Sequence, residues 1–111
     1  MSNSVKVIQV DGIIDATKSQ EFRDKITTGL ESGEKTVLVD FKDVTFMDSS
    51  GLGALVLAFK ALQAVNTKLV LCSINEQVRI LFELTGMDKI FEIFANQDEF
   101  HKYVNSHEQL N

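Results

Sequence analysis

The sequence predicts an α/β domain on a mainly parallel, four-stranded sheet with about four helices. Three observations carry that expectation. Val37-Leu38-Val39 and Leu69-Val70-Leu71 are unbroken runs of β-branched residues and leucine. Unbroken rather than alternating apolarity belongs to strands covered on both faces. Between these runs lie segments whose apolar residues recur at helical spacing, and strands alternating with helices imply crossovers between parallel strands.

The elements follow in order. Val5 to Val10 reads as a strand closed by the turn signal Asp11-Gly12, with Ile13-Ile14 as a further short extended piece. Thr17 to Ser32 reads as a helix. Thr17 and Gln20 have capping-box spacing, Phe22, Ile26 and Leu30 recur every four residues, and Gly33 can end it in the left-handed conformation. After the Val37 strand, Val44-Thr45-Phe46-Met47 leads into a helix that starts near Ser50. That helix buries Leu52, Leu55, Phe59 and Leu62 and stops at Asn66. Ser73 and Glu76 again have capping-box spacing before a third helix. Its stripe is Val78, Leu81 and Phe82, and Gly86 closes it. Phe91 to Phe94 reads as a short strand. Asn96 and Glu99 open a last helix burying Phe100, Tyr103 and Val104, and Ser106 to Asn111 is a polar tail.

Length and charge exclude several function classes. A chain of 111 residues suits one domain over 1–111, its core about 5–104, with no proline and no linker composition. The net charge of −5 disfavours nucleic acid or an anionic membrane surface, since either calls for a basic patch. Cys72 is the only cysteine and sits in an apolar run, so it reads as a small buried hydrophobe. Met1 to Ser4 has no signal-peptide character, and no apolar run is long enough to span a bilayer. The expected compartment is the cytoplasm.

The chemistry concentrates in Asp48-Ser49-Ser50-Gly51-Leu52-Gly53, where a helix opens. The first backbone amides of a helix lack intrahelical partners. Either serine can serve as N-cap, with Ser50 the better placed. Such an end also favours negative charge and suits a phosphoryl group on a serine. Asp48 reads either as a turn residue or as a charge that orients the loop beside the hydroxyl. Gly51 and Gly53 permit close approach of loop or partner backbone. They are no dinucleotide fingerprint, since Val56 stands where the third glycine belongs.

The ordered motifs resemble a STAS domain of the bacterial anti-sigma-factor-antagonist type, from about Val5 to Val104. The strongest part is Val39-Asp40 followed by Val44 to Gly53. It is supported by Gly12-Ile13-Ile14-Asp15, similar to the family's Gly-x-Leu-Asp, and by Val78-Arg79, Leu81-Phe82 and Leu84-Thr85-Gly86-Met87. The resemblance implies a STAS-like fold and a protein that binds an anti-sigma factor and so frees a sigma factor. It implies that this anti-sigma factor is a serine kinase that phosphorylates Ser49, directly after the motif aspartate, and that a phosphatase of the PP2C type reverses the step. It also places Asp15, Asp48, Ser49, Ser50, Gly51, Leu52 and Gly53 on the partner surface. Many relatives carry one more strand before the Gly-x-Leu-Asp strand. Only four residues precede Val5 here, so that strand is expected to be missing and its edge open to another chain, giving a monomer or weak dimer.

Enzyme readings find little support. Asp48 rather than glycine precedes the serine pair, so there is no nucleophile elbow. His101 and His107 lie in the polar C-terminal region and read as solvated. No His/Cys spacing suggests zinc, and the carboxylates are dispersed, so no metal, cofactor or catalytic residue is expected. Two other readings stand beside the switch. One is a STAS scaffold or regulatory subunit in a signalling assembly or transport system. The other is a small-ligand enzyme using the helix N-terminus as an anion site. The absence of Lys or Arg between Asp48 and Gly53 counts against the latter.

Overall fold

The computed structural model describes residues 5–31 and 33–109. Four strands, β1 (Val5–Ile14), β2 (Thr36–Met47), β3 (Lys68–Cys72) and β4 (Glu92–Phe94), pair in sequence order, and every pairing is parallel. The helices are α1 (Ser19–Thr27), α2 (Ser49–Gln63), α3 (Glu76–Thr85) and α4 (Gln97–Gln109). Crossovers between parallel strands are right-handed. With the strands in the order one to four, each crossover turns the same way, so α1, α2 and α3 stack on one face. Among the described residues no strand follows α4, and it covers the other face.

The strand periodicity of two divides the core accordingly. Val37, Val39 and Phe41 of β2 pack with Phe22 and Ile26 of α1, Leu55 and Leu62 of α2, and Val78 and Phe82 of α3. Leu38, Val70 and Cys72 point to the opposite face and meet Phe100 of α4. Both faces are covered, as the unbroken apolar runs predict.

Several boundaries differ from the expectation. Asp11-Gly12 does not end β1. Gly12 takes a φ of 71° within the strand, and β2 absorbs the irregularity. Gln9 pairs with Asp40 but Asp11 with Asp43, and Gly12 pairs with Val44 but Ile13 with Phe46. These bulges let β1 and β2 stay paired to Ile14 and Met47, at the loop of interest. The helix expected from Thr17 begins at Ser19 and passes into a 3-10 turn over Thr28–Glu31. Thr17 caps nothing, because its N–H and hydroxyl both donate to the Asp15 carboxylate. Leu30 falls in the 3-10 turn and is 39% exposed, while Gly29 packs against Val37 in its place. Ser32, the expected end of the first helix, the four residues before Val5, on which the missing edge strand rests, and residues 110–111 of the polar tail lie outside the described residues. Ser73 does not cap α3 either. Asn75 does, accepting from Val78 N–H at 2.9 Å, and Ser73 takes a φ of 62°. Asn66 and Gly86 take the expected left-handed conformation. Tyr103 is half-exposed, not buried, although its ring packs 5.2 Å from that of Phe94. The polar tail from Ser106 is helical as far as Gln109.

Asp40 is the one buried charged residue among those described. It sits under α4, where its carboxylate accepts from Gln97 Nε2 at 2.7 Å, Lys42 N–H at 2.9 Å and Gln9 Nε2 at 3.5 Å. Burial alone would raise its pKa. The hydrogen bonds, that from Gln97 foremost, outweigh burial and hold the carboxyl below its ordinary 3.8. The neighbouring Cys72 thiol is pushed up to about 11, chiefly by burial. Asp40 thus ties β1 and α4 to the middle of β2.

Asp40→Ala should lower unfolding free energy at pH 7 by about 1–3 kcal/mol, since it removes a buried charged acceptor of three hydrogen bonds. The folded-state pKa lies below the unfolded one, so the carboxylate's contribution is full above the unfolded value. It is lost as pH falls through the folded value. Urea unfolding of wild type and variant at pH 7 and in acid checks this: the gap between them should close at low pH. A gap that persists in acid refutes the account.

Candidate functional site

Asp48, not a serine, caps α2. Its backbone is extended, with φ −109° and ψ −173°, and one carboxylate oxygen accepts from Ser50 N–H at 2.9 Å and Gly51 N–H at 3.1 Å. The expectation that Ser50, or either serine, supplies the cap is therefore corrected. The helix begins one residue earlier than the apolar pattern suggests, at Ser49. Ser49 and Ser50 become its first two residues, and both side chains are exposed. The carboxylate that reads as either a turn group or a loop charge is a helix cap. Ser49 is left with no side-chain hydrogen bond among the described residues.

The sheet fixes this loop from below. Asp48 N–H donates to Ile14 O at 3.2 Å, and Leu52 N–H donates to Asp48 O at 3.0 Å. Gly51 is buried directly against the Ile14 carbonyl. A Cβ there would meet that oxygen and would lie 2.9 Å from Ile14 Cγ2. Gly51 is thus required by packing within the chain. Gly53 has nothing within 4 Å of a built Cβ and is exposed. Leu52 is 6% exposed and packs into the core, so its side chain offers a partner nothing in the free domain.

Asp15 follows the strand that supports the loop, and the Ile14 carbonyl next to it takes the Asp48 bond. Its carboxylate accepts from Thr17 Oγ1 at 2.6 Å and Thr17 N–H at 3.0 Å. The Thr17 hydroxyl bond is the main reason its pKa lies below the ordinary 3.8, with desolvation opposing. Its side chain shapes the turn into α1. The structure therefore brings Asp48, Ser49, Ser50 and Gly53 to one surface, with Asp15 on the adjoining turn, and sends Gly51 and Leu52 inward. Beside Ser50 a shallow groove runs between α1 and α2, lined by Gln20, Arg23, Gly53, Ala54 and Leu57 among others. Leu57 is 52% exposed there.

Two side chains that hold the end of β2 were not singled out from the sequence. Gln77 accepts from Met47 N–H at 2.9 Å and donates to Met47 O at 2.7 Å. Asn75 Nδ2 donates to Val44 O at 3.1 Å. Asn75 had a legible signal, an asparagine directly before an acidic first helical turn. Gln77 had none, because its partner is a backbone thirty residues away. Among the described residues no group of His, Cys, Asp or Glu side chains could hold a metal, and no helix is long and apolar enough to cross a membrane.

The STAS domain model matches residues 2–100. The chain is 35% identical over 86 residues to the anti-sigma-B factor antagonist of Listeria monocytogenes, covering 78% of this chain and 75% of that one. It is similar in structure to SpoIIAA of Bacillus in the phosphorylated form, with a TM-score of 0.68, 26% identity and 94% of each chain covered. An anti-sigma factor antagonist from Mycobacterium paratuberculosis shares the fold at a TM-score of 0.80 and 24% identity, over 95% of this chain and 89% of that one.

The two glycines should separate in stability measurements. Gly51→Ala should destabilise the fold by about 1–3 kcal/mol through overpacking. Gly53→Ala should leave it unchanged or raise it by about 0.5–1 kcal/mol through helix propensity. Asp48→Ala should cost about 1 kcal/mol through the lost cap. Urea denaturation of the three variants checks the order. A Gly53→Ala loss as large as that of Gly51→Ala refutes the assignment.

Proposed function

This chain belongs to the STAS domain family, and within it to the anti-sigma factor antagonists, and we propose that it is a binding module gated by phosphorylation of Ser49. Unmodified, it docks on an anti-sigma factor and so releases a sigma factor. The anti-sigma factor is itself the serine kinase that switches it off, and a PP2C-type phosphatase restores it. The work is done in the cytoplasm, by binding and without catalysis by this chain. The relatives' names support this reading, and so does the solved phosphorylated form of a similar protein.

The observation that carries the site assignment is the division of labour at the start of α2. Asp48 is committed to the Ser50 and Gly51 amides, and the Ser49 hydroxyl stands exposed and unbonded beside it. A phosphoryl group adds roughly −1.5 to −2 charges at neutral pH. At a helix N-terminus that charge meets the positive end of the dipole, so the fold tolerates it. Beyond the capping Asp48, no acidic residue lies in the first turn of α2 to oppose it. At the docking surface the same charge adds bulk and repulsion beside Asp48, on a chain already at −5. The switch therefore blocks docking and leaves the domain folded.

Peptide mass mapping after incubation with the anti-sigma kinase and ATP should place the phosphate on Ser49 and none on Ser50. Label on Ser50, or undiminished label in Ser49→Ala, overturns the assignment. Ser49→Asp should keep a native circular dichroism spectrum and lose binding by more than about tenfold, since disrupting an interface centre costs about 2 kcal/mol or more. Calorimetry against the anti-sigma factor reads this. Unfolding of Ser49→Asp, or wild-type affinity, refutes the docking-block mechanism.

A further inference from the structure

Past Asp40, β2 loses its neighbour on one side. The β3 pairing ends at Asp40 with Cys72, whereas the β1 pairing continues to Ile14 with Met47. The last residues of β2 would expose unpaired backbone on the β3 side, just where the chain turns into Asp48 and Ser49. Backbone groups in such a position need partners. The N-terminus of α3 supplies them through side chains. Asn75 donates to Val44 O, and the Gln77 carboxamide forms a two-bond ring with the Met47 N–H and carbonyl. A primary amide carries a donor and an acceptor side by side, so it can pair with one residue's backbone as a strand would.

We propose that Gln77 is a positioning residue for Ser49: its amide clamp on Met47 fixes the direction in which β2 delivers Asp48 and Ser49, and so sets how the hydroxyl is presented to the kinase. The inference rests on the Ser49 switch and adds to it a contribution from a different helix. Met47 is held from both sides, by β1 and by Gln77, with its side chain buried. Asp48 follows with one backbone bond back to the sheet, from its N–H to Ile14 O, beyond its cap and the helical bond from Leu52 N–H. Removing the clamp frees one side of that anchor without touching the cap, the serines or the docking surface. Asn75 is the poorer probe, since its side chain also caps α3.

The test compares Gln77→Ala with wild type and with Ile26→Val, a conservative core variant remote from the loop that controls for lost stability. In the protein alone, amide exchange followed by NMR should speed up at Met47 by at least about tenfold in Gln77→Ala, as expected when a protecting bond opens locally. With the anti-sigma kinase used for mapping Ser49, kcat should fall about tenfold with KM within about twofold, the pattern of a group that acts on presentation and not on docking. Ile26→Val should keep both parameters. Unchanged Met47 exchange overturns the proposal. So does wild-type kcat in Gln77→Ala, or an equal loss in Ile26→Val. A wild type that is never labelled on Ser49 overturns the switch reading instead, and the exchange rates then decide whether Gln77 holds Met47.

Discussion

The backbone at Met47 and Asp48 is the constraint on which the site depends. β2 is the central scaffold, but its last residues have a strand on one side only. Their direction is set by parallel pairing with β1, by the Ile14 carbonyl under Asp48, and by side-chain amides from α3. Two bulges in β2 keep that pairing in register to the end of both strands. Bulges re-aim a chain near functional sites at the expense of local ladder bonds. Here they bring Ile14 opposite Met47, where its carbonyl can meet both Asp48 and Gly51.

Charge is arranged so that one helix terminus serves two purposes. The Asp48 carboxylate satisfies two amides that would otherwise have no partner. The side chain of the next residue is left in solvent. An added phosphate would meet a helix dipole that favours it and an aspartate that opposes it, within one turn. Within the fold the dipole would offset the repulsion from Asp48, while the added charge and bulk would face whatever approaches the surface. On the proposed reading, such an arrangement would let a modification change binding without melting the domain. The buried Asp40 illustrates the other use of a carboxylate. It lies on the far face under α4 and is fully engaged by amide donors. It holds β1, β2 and α4 together.

The glycines of the motif divide in the same way. Gly51 sits where a methyl group would strike the Ile14 carbonyl, so the fold itself demands it. Gly53 is demanded by nothing within the chain. An exposed glycine inside a helix costs about 1 kcal/mol relative to alanine. With Ser50, Arg23 and the half-exposed Leu57 it borders the groove between α1 and α2. Its open surface would suit close approach by another backbone, the role proposed for it in binding.

The sequence alone determined the class, the order of the elements and the motif, because these follow from local periodicity and composition. Unbroken apolar runs marked the buried strands, and the left-handed caps at Asn66 and Gly86 were visible in residue type. Asp48 to Gly53 stood out as a small polar cluster before a helix. The identity of the cap was not legible. Aspartate and serine are nearly equal as caps, and a shift of one residue exchanges their roles. The backbone conformation that chose Asp48 is imposed by the sheet beneath it. The continuation of β1 through Asp11-Gly12 was hidden because turn residues also suit a strand whose neighbour bulges. The inward placement of Gly51 and Leu52, and the hold of Gln77 on Met47, join residues from different elements. No local pattern encodes such contacts, and only the packing of α3 and β1 around the end of β2 decides them.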